Sequence, residues 1–447
     1  MWNFIPLTNW RTGEHRTPNN TTISARDEVK SHTIASAHMD RRSFLQFAGG
    51  FAAAPLLFAD EKSKLRITSV RLVNPTPRHP LPAYTPAPNA WSTNGVEVAS
   101  PMSIYPEYKA MRSLFMPDPG KLPGFYVEIA TDKGIKGYGQ GGPAGGPLVQ
   151  DHFAKLLLGK DPFDIERNWD ILWRSSMNYD RAGIAMHAIS GIDLALWDVV
   201  GRALNQPVYK LIGGETKQRI PAYCTGNDID QHIEFGFKRL KLAVAHGPAD
   251  GREGMRKNLE LVKSTREKLG PDGDIMLDCW MSWTEQYALD MADMLGPYRV
   301  YWMEECLQPH DYEGFGRLHA ALKQIRIATG EHEYNRYGFR QLLEHRSASI
   351  WQPDMHWCGG LTELRHIAAL ASAYDIPVIP HVGGTRDGSH FIMATTNAPW
   401  AEMFMPAPGG PKAVYDQWAE HNSVSRGPEG IYMRPPEDPG LGWDFAE

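Results

Sequence analysis

Six residues carry the chemistry this chain could perform: Asp278, Glu304, Glu331, Asp354, His381 and Glu402, at intervals of 26, 27, 23, 27 and 21 residues. Each closes a short apolar run of strand character: IMLDCW, VYWMEEC, IRIATGE, SIWQPD, IPVIPH and WAEMFM. If the runs are successive strands of a (β/α) barrel, their C-terminal ends meet at one mouth, and residues one repeat apart become neighbours. Five carboxylates converging with a histidine would repel one another and be costly to desolvate. A divalent cation relieves that repulsion for three of them, and an all-oxygen carboxylate set suits Mg²⁺. Asp354 and His381, on adjacent expected strands, suit a dyad in which the carboxylate orients the imidazole and raises its basicity. Lys241, in FKRLKL, is expected to face the same mouth. His246 and His356 read as loop histidines rather than ligands. The four cysteines (Cys224, Cys279, Cys306 and Cys358) lack metal-site spacing and read as small buried hydrophobes.

The elements that must position these residues follow from periodicity. Two further apolar runs, IPAYC and FKRLKLAV, bring the strands to eight, each followed by helix-like sequence. Ahead of them, MHAISGIDLALWDVVGRALNQPVYKLIGG reads as an amphipathic helix, with Ile189, Ile192, Leu196 and Val199 on one face and a close at Gly213-Gly214. LRITSVRLV alternates as a strand, and GFYVEIATDKGIKGYG reads as a hairpin about Asp132-Lys133-Gly134. These make a small α+β unit over 61–185, a barrel over 186–408, and a Pro/Gly-rich segment over 409–447 that returns to the first unit.

Residues 1–38 are polar and aperiodic and read as a disordered leader or a misassigned start. Residues 39–60 hold Arg41-Arg42-Ser43-Phe44-Leu45 before a Gly/Ala-rich apolar run too short for a stable membrane anchor. That is the twin-arginine export pattern, so a periplasmic location is expected. The balance of 46 basic against 52 acidic residues, a net charge of −6, leaves no basic footprint for nucleic acid. At 447 residues with 42% hydrophobic content, the chain can bury a large core without staples.

ISGIDLALWDVVGRALNQPVYKLIGG, MLDCW, WMEEC, ATGEH, QPDMHWCGG and VIPH together resemble the mandelate-racemase-like subgroup of the enolase superfamily. Within it, MEECLQPHDYEG, QPDMHWCGGLTEL and PMSIY look most like acid-sugar dehydratases of the L-rhamnonate dehydratase type. The resemblance implies a modified TIM barrel, (β/α)7β, with an α+β N-terminal capping domain. It implies Mg²⁺ on Asp278, Glu304 and Glu331, and His381, paired with Asp354, as general base and acid. Glu402 would be a protonated hydrogen-bond donor, and Arg112, Arg239 and His332 would bind substrate. A small-molecule sugar acid and a homo-oligomer are expected on the same ground. Two positions depart from the pattern: Arg239-Leu240-Lys241 replaces a Lys-x-Lys pair, and no histidine falls between His79 and His152. Lys241 and His381 could still act as two bases of a racemase or epimerase, which stands as the second reading. An inactive sugar-acid-binding protein is a third.

Overall fold

The computed structural model describes residues 65–91, 98–109 and 124–446. The expectations for 1–38, for 39–60 and for Arg112 lie outside the described residues. The chain begins with an antiparallel sheet in the order β1 (Ile67–Val73), β2 (Phe125–Thr131), β3 (Lys136–Gly141). β2 and β3 are joined by a tight turn in which Gly134 takes φ 75°, a left-handed conformation that costs glycine little.

One helix covers this sheet and a second packs against that helix. In α1 (Ile165–Ser176), Ile165, Trp169, Leu172 and Trp173 form one buried stripe. α2 (Ile184–Leu204) is buried nearly all round, since one side lies on the sheet and another on the barrel helix Gly360–Ser372. Its approach to β3 leaves no room for a side chain: a Cβ on Gly139 would lie 2.2 Å from the Gly191 carbonyl oxygen. The expected run to Gly213-Gly214 is corrected here. α2 ends at Leu204 with Asn205 left-handed, and a separate turn, Val208–Leu211, follows Pro207. Proline disfavours helix in the residue before it, which breaks the continuous apolar pattern in two.

The acidic residues of α2 are architectural. The Asp193 carboxylate accepts from Thr362 N at 2.9 Å and Thr362 Oγ1 at 2.6 Å, at the start of the helix Gly360–Ser372. Asp198 accepts from Tyr138 N at 2.9 Å and Leu441 N at 2.7 Å, joining sheet, helix and C-terminal segment. That segment also packs Trp443 and Phe445 edge-on against Tyr126, at 5.7 and 5.3 Å between ring centres.

The barrel-type domain places β4 (Ile220–Thr225), β5 (Arg239–Ala243), β6 (Asp274–Asp278), β7 (Val300–Glu304), β8 (Arg326–Thr329) and β9 (Ile350–Trp351) side by side and parallel. β10 (Ala401–Met403) pairs in parallel with β4, so the last strand meets the first. IPVIPH differs from a regular strand. It joins by single bridges, Trp351 to Val378 and Asp354 to His381, because Pro377 and Pro380 have no N–H to donate. Tyr223, Met276, Trp302, Ala328, Ile350 and Ile379 fill the interior between the strands. This is the capped α/β architecture expected of the superfamily.

Candidate active site

Strand register assembles the site. Asp278, the last residue of β6, stands opposite Ala243 on one side and Glu304 on the other. Glu331 and Asp354 follow the ends of β8 and β9, His381 bridges to Asp354, and Glu402 lies on β10. His381 Nδ1 is 2.7 Å from Asp354 Oδ2, while its Nε2 is 3.5 Å from Glu331 Oε1. The aspartate thus occupies one ring nitrogen and leaves Nε2 facing the carboxylate cluster.

The cluster is electrostatically frustrated. Burial raises the pKa of Glu304; Lys241 opposes that shift, and Asp278 and Glu402 reinforce it. Burial likewise pushes Glu331 up to about 7, against His381 and His332, and raises Asp278. Each carboxylate makes its neighbours' ionisation harder, which is the situation a divalent cation relieves. The all-oxygen donor chemistry of Asp278, Glu304 and Glu331 fits such an ion. Burial also works against charge on His381, but Glu331, Asp354 and Glu402 outweigh it and push its pKa up to about 10. A cation on Glu331 would screen that carboxylate and bring the imidazole back toward its neutral, basic form.

Three sequence expectations change. Lys241 does not offer a free amine to the mouth: its ammonium lies 2.5 Å from Glu304 Oε1 and 2.8 Å from Glu402 Oε1, with 1% of the side chain exposed. Although burial disfavours its charge, Glu304 and Glu402 hold its pKa well above the usual lysine value, so it is a locked acid and not a base. Glu402 is placed as an acceptor and not as the expected donor. It accepts from Thr225 Oγ1 at 2.5 Å and Val382 N at 2.8 Å; burial would raise its pKa, but Lys241 and His381 outweigh burial and hold it below the usual range. Arg239 begins β5 at the opposite end of the strand, pairs with Asp274 at 3.2 Å and lies over the Trp400 ring. Parallel strands put their first residues on the face away from the mouth, so Arg239 has no path to a ligand there.

His332 does reach the cluster. Its Nδ1 lies 2.7 Å from Glu305 Oε2. Burial opposes its charge, but Glu305 pushes its pKa up to about 9, leaving Nε2 a buried donor with no protein partner. Glu305 was not singled out by the sequence, although it is the second glutamate of WMEEC. Its φ of 45° departs from the strand and turns it toward Glu331 and His332, and the ligand atoms of the three lie within 4.8 Å of one another. Glu304 meanwhile also accepts from Trp302 Nε1 at 3.0 Å and Gln352 Nε2 at 2.6 Å. Trp357 forms an aromatic wall, 5.3 Å from His381, 5.4 Å from His332 and 5.7 Å from His187 of α2. The cap therefore contributes directly to the mouth. Tyr84 donates its hydroxyl to the Ala407 carbonyl at 2.8 Å.

A capping sheet, a parallel barrel and acidic strand ends facing an Asp–His dyad define a protein of the enolase type. Residues 121–213 match the family model for the mandelate racemase / muconate lactonizing enzyme N-terminal domain, and residues 227–447 match that of the enolase C-terminal domain-like family. The chain belongs to the mandelate racemase/muconate lactonizing enzyme branch of the enolase superfamily. It is 39% identical over 350 residues to an L-rhamnonate dehydratase from Saccharopolyspora erythraea, covering 77% of this chain and 88% of that one. The crystal structure of L-rhamnonate dehydratase from Gibberella zeae superposes with a TM-score of 0.73 at 36% identity, covering 85% of this chain and 94% of that one; a magnesium complex of that protein matches equally. A racemase from Streptomyces coelicolor with bound magnesium is more distant, with a TM-score of 0.62 at 27% identity over 71% of this chain and 92% of that one.

Proposed function

We propose that this protein is a Mg²⁺-dependent acid-sugar dehydratase, a hydro-lyase that converts an aldonate into a 2-keto-3-deoxy acid. Asp278, Glu304 and Glu331 would hold the cation, whose charge when bound stabilises the negative charge developing on the substrate carboxylate as its α-proton leaves. His381 is the acid/base. With Nδ1 held by Asp354, its Nε2 takes the α-proton, and the resulting imidazolium returns a proton to the departing 3-hydroxyl. The enol so formed tautomerises to the ketone. His332 Nε2 and the Trp357 face suit a hydroxylated chain, the first as donor and the second as a wall that excludes water.

The state of Lys241 carries this reading. A two-base racemase needs a second group across the substrate from His381 that is free to give or take a proton there, and the Lys241 ammonium is instead enclosed by Glu304 and Glu402. Elimination needs one group that is base and then acid. The similarity to L-rhamnonate dehydratases supports the same class. The missing N-terminal-loop histidine favours an aldonate other than L-rhamnonate. Incubating the protein and Mg²⁺ with a panel of aldonates, and detecting 2-keto acids as semicarbazones, tests the proposal. One or more compounds should give 2-keto-3-deoxy product. Epimerisation without loss of water across the panel would overturn the proposal in favour of racemisation.

The Arg41-Arg42 pattern supports export of the folded protein to the periplasm as part of this proposal. Sequencing the N-terminus of native protein tests that part: a mature chain starting ahead of Arg41 would refute it.

A further inference from the structure

Asp354 divides its two oxygens. Oδ2 meets His381 Nδ1 at 2.7 Å, and Oδ1 accepts from the backbone N–H of His356 at 2.6 Å, with His356 Nδ1 3.5 Å from the same oxygen. The far side of the His356 ring is held too, its Nε2 lying 2.8 Å from Asp387 Oδ2. Asp387 sits in the first turn of the helix Arg386–Ala394, which Thr385 caps by accepting from Gly388 N. Asp387, His356 and Asp354, all buried, therefore lead to the partly exposed His381 in a row of alternating acids and bases, running from a helix N-terminus to the mouth of the barrel.

We propose that His356 and Asp387 are positioning residues for the Asp354–His381 dyad, acting on His381 only through the aspartate. The inference rests on His381 being the acid/base of the proposed function. Asp354 needs such support because it lies beyond β9, a strand of two residues, and just after Pro353. A carboxylate held at one oxygen alone can turn about its last side-chain bond. The hold on Oδ1 is the main-chain N–H of His356, which the imidazole fixes in place through its contact with Asp387; held at both oxygens, the carboxylate presents Oδ2 to His381 in one orientation, and misplacement of about 1 Å at a reacting group costs about 10²-fold in rate. The row is also balanced in charge. Burial opposes charge on the His356 imidazole, but Asp387 and Asp354 outweigh it and raise its pKa; His356 in turn overcomes burial to hold Asp387 below the usual carboxylate range. Outer partners of metal-ligating histidines, a comparable arrangement, are worth about 10- to 100-fold when removed.

The test compares full-length Mg²⁺-loaded wild type with His356→Gln, His356→Leu and Asp387→Asn. For each, kcat, KM, melting temperature and the rate of α-proton exchange into D₂O are measured with the best aldonate. Asp387→Asn and His356→Leu should lower kcat and the exchange rate together by about 10- to 100-fold, with KM changed by no more than about twofold. His356→Gln, which keeps an amide donor toward Asp387, should recover part of that loss. A lower melting temperature with kcat and exchange unchanged would make the row structural only and overturn the inference. If one substitution prevents folding, the variant of the other residue still decides. Should wild type exchange the α-proton without dehydrating any sugar acid, the dehydratase reading fails, while the exchange rates still judge the row.

Discussion

Lys241 Nζ lies 2.5 Å from Glu304 Oε1, with neither side chain reaching solvent. A buried charge that loses its partner is costly, so removal of the lysine leaves Glu304 and Glu402 uncompensated. Lys241→Met should destabilise the protein by about 3–5 kcal/mol in the presence of a chelator. Saturating Mg²⁺ should restore part of that loss, because the cation replaces some of the missing positive charge. Thermal unfolding with and without Mg²⁺ measures both; an unchanged melting temperature in chelator would contradict the ion-pair assignment.

Metal removal should act through the same cluster. Mg²⁺ at about 100 times its Kd should stabilise the wild type by about 2.7 kcal/mol over the chelated protein. Asp278→Asn, Glu304→Gln and Glu331→Gln should abolish that increment. Glu305→Gln should keep most of it, since Glu305 is engaged by His332 through both its side chain and its backbone N–H. If Glu305→Gln loses the increment and Glu304→Gln keeps it, the ligand set is the second glutamate's.

His381→Asn removes the proposed acid/base and keeps a side chain of similar polarity. Turnover should fall by about 10²- to 10⁴-fold or more, because no neighbouring group can take its place. Calorimetric Mg²⁺ affinity should stay within a few-fold of wild type, as His381 is not among the proposed ligands. Substantial retained turnover would mean another residue removes the proton.

Two buried histidines away from the mouth set an acid limit on stability. Burial pushes the pKa of both His232 and His390 down to about 4, below the usual 6.5 or so. The native state keeps them neutral, while the unfolded chain takes up protons between those values. Their stabilisation is therefore fully present above about pH 6.5 and is lost as pH falls toward 4, at up to about 1.4 kcal/mol per pH unit for each histidine. His390 accepts from Tyr209 N at 3.1 Å, so His390→Gln should cost stability at neutral pH but flatten the slope. Denaturant unfolding at pH 4.5, 5.5 and 7 reads that slope; equal slopes in variant and wild type would rule His390 out as a contributor.

Much of the architecture could be read from spacing alone. Parallel strands place their C-terminal residues at one end, so a polar residue closing each apolar run names the mouth without coordinates. IPVIPH also reads correctly as the segment that carries His381, although its prolines reduce it to single bridges. α2 is overextended by the sequence because Leu204 and Val208 keep the apolar pattern running across Pro207.

The strand-end groups and the family are legible without coordinates, since both depend on residue type and order along one chain. How those groups share charge emerges from contacts that form on folding. Lys241 looks like a base in RLKL and becomes a locked acid once Glu304 and Glu402 enclose it. Arg239, two residues away on the same strand, falls at the other end of the barrel. Glu305 and His356 join the site through a left-handed backbone turn and a contact from the helix Arg386–Ala394. Protonation states and second partners are set by neighbours from distant parts of the chain, through burial and Coulomb interactions that no local pattern records.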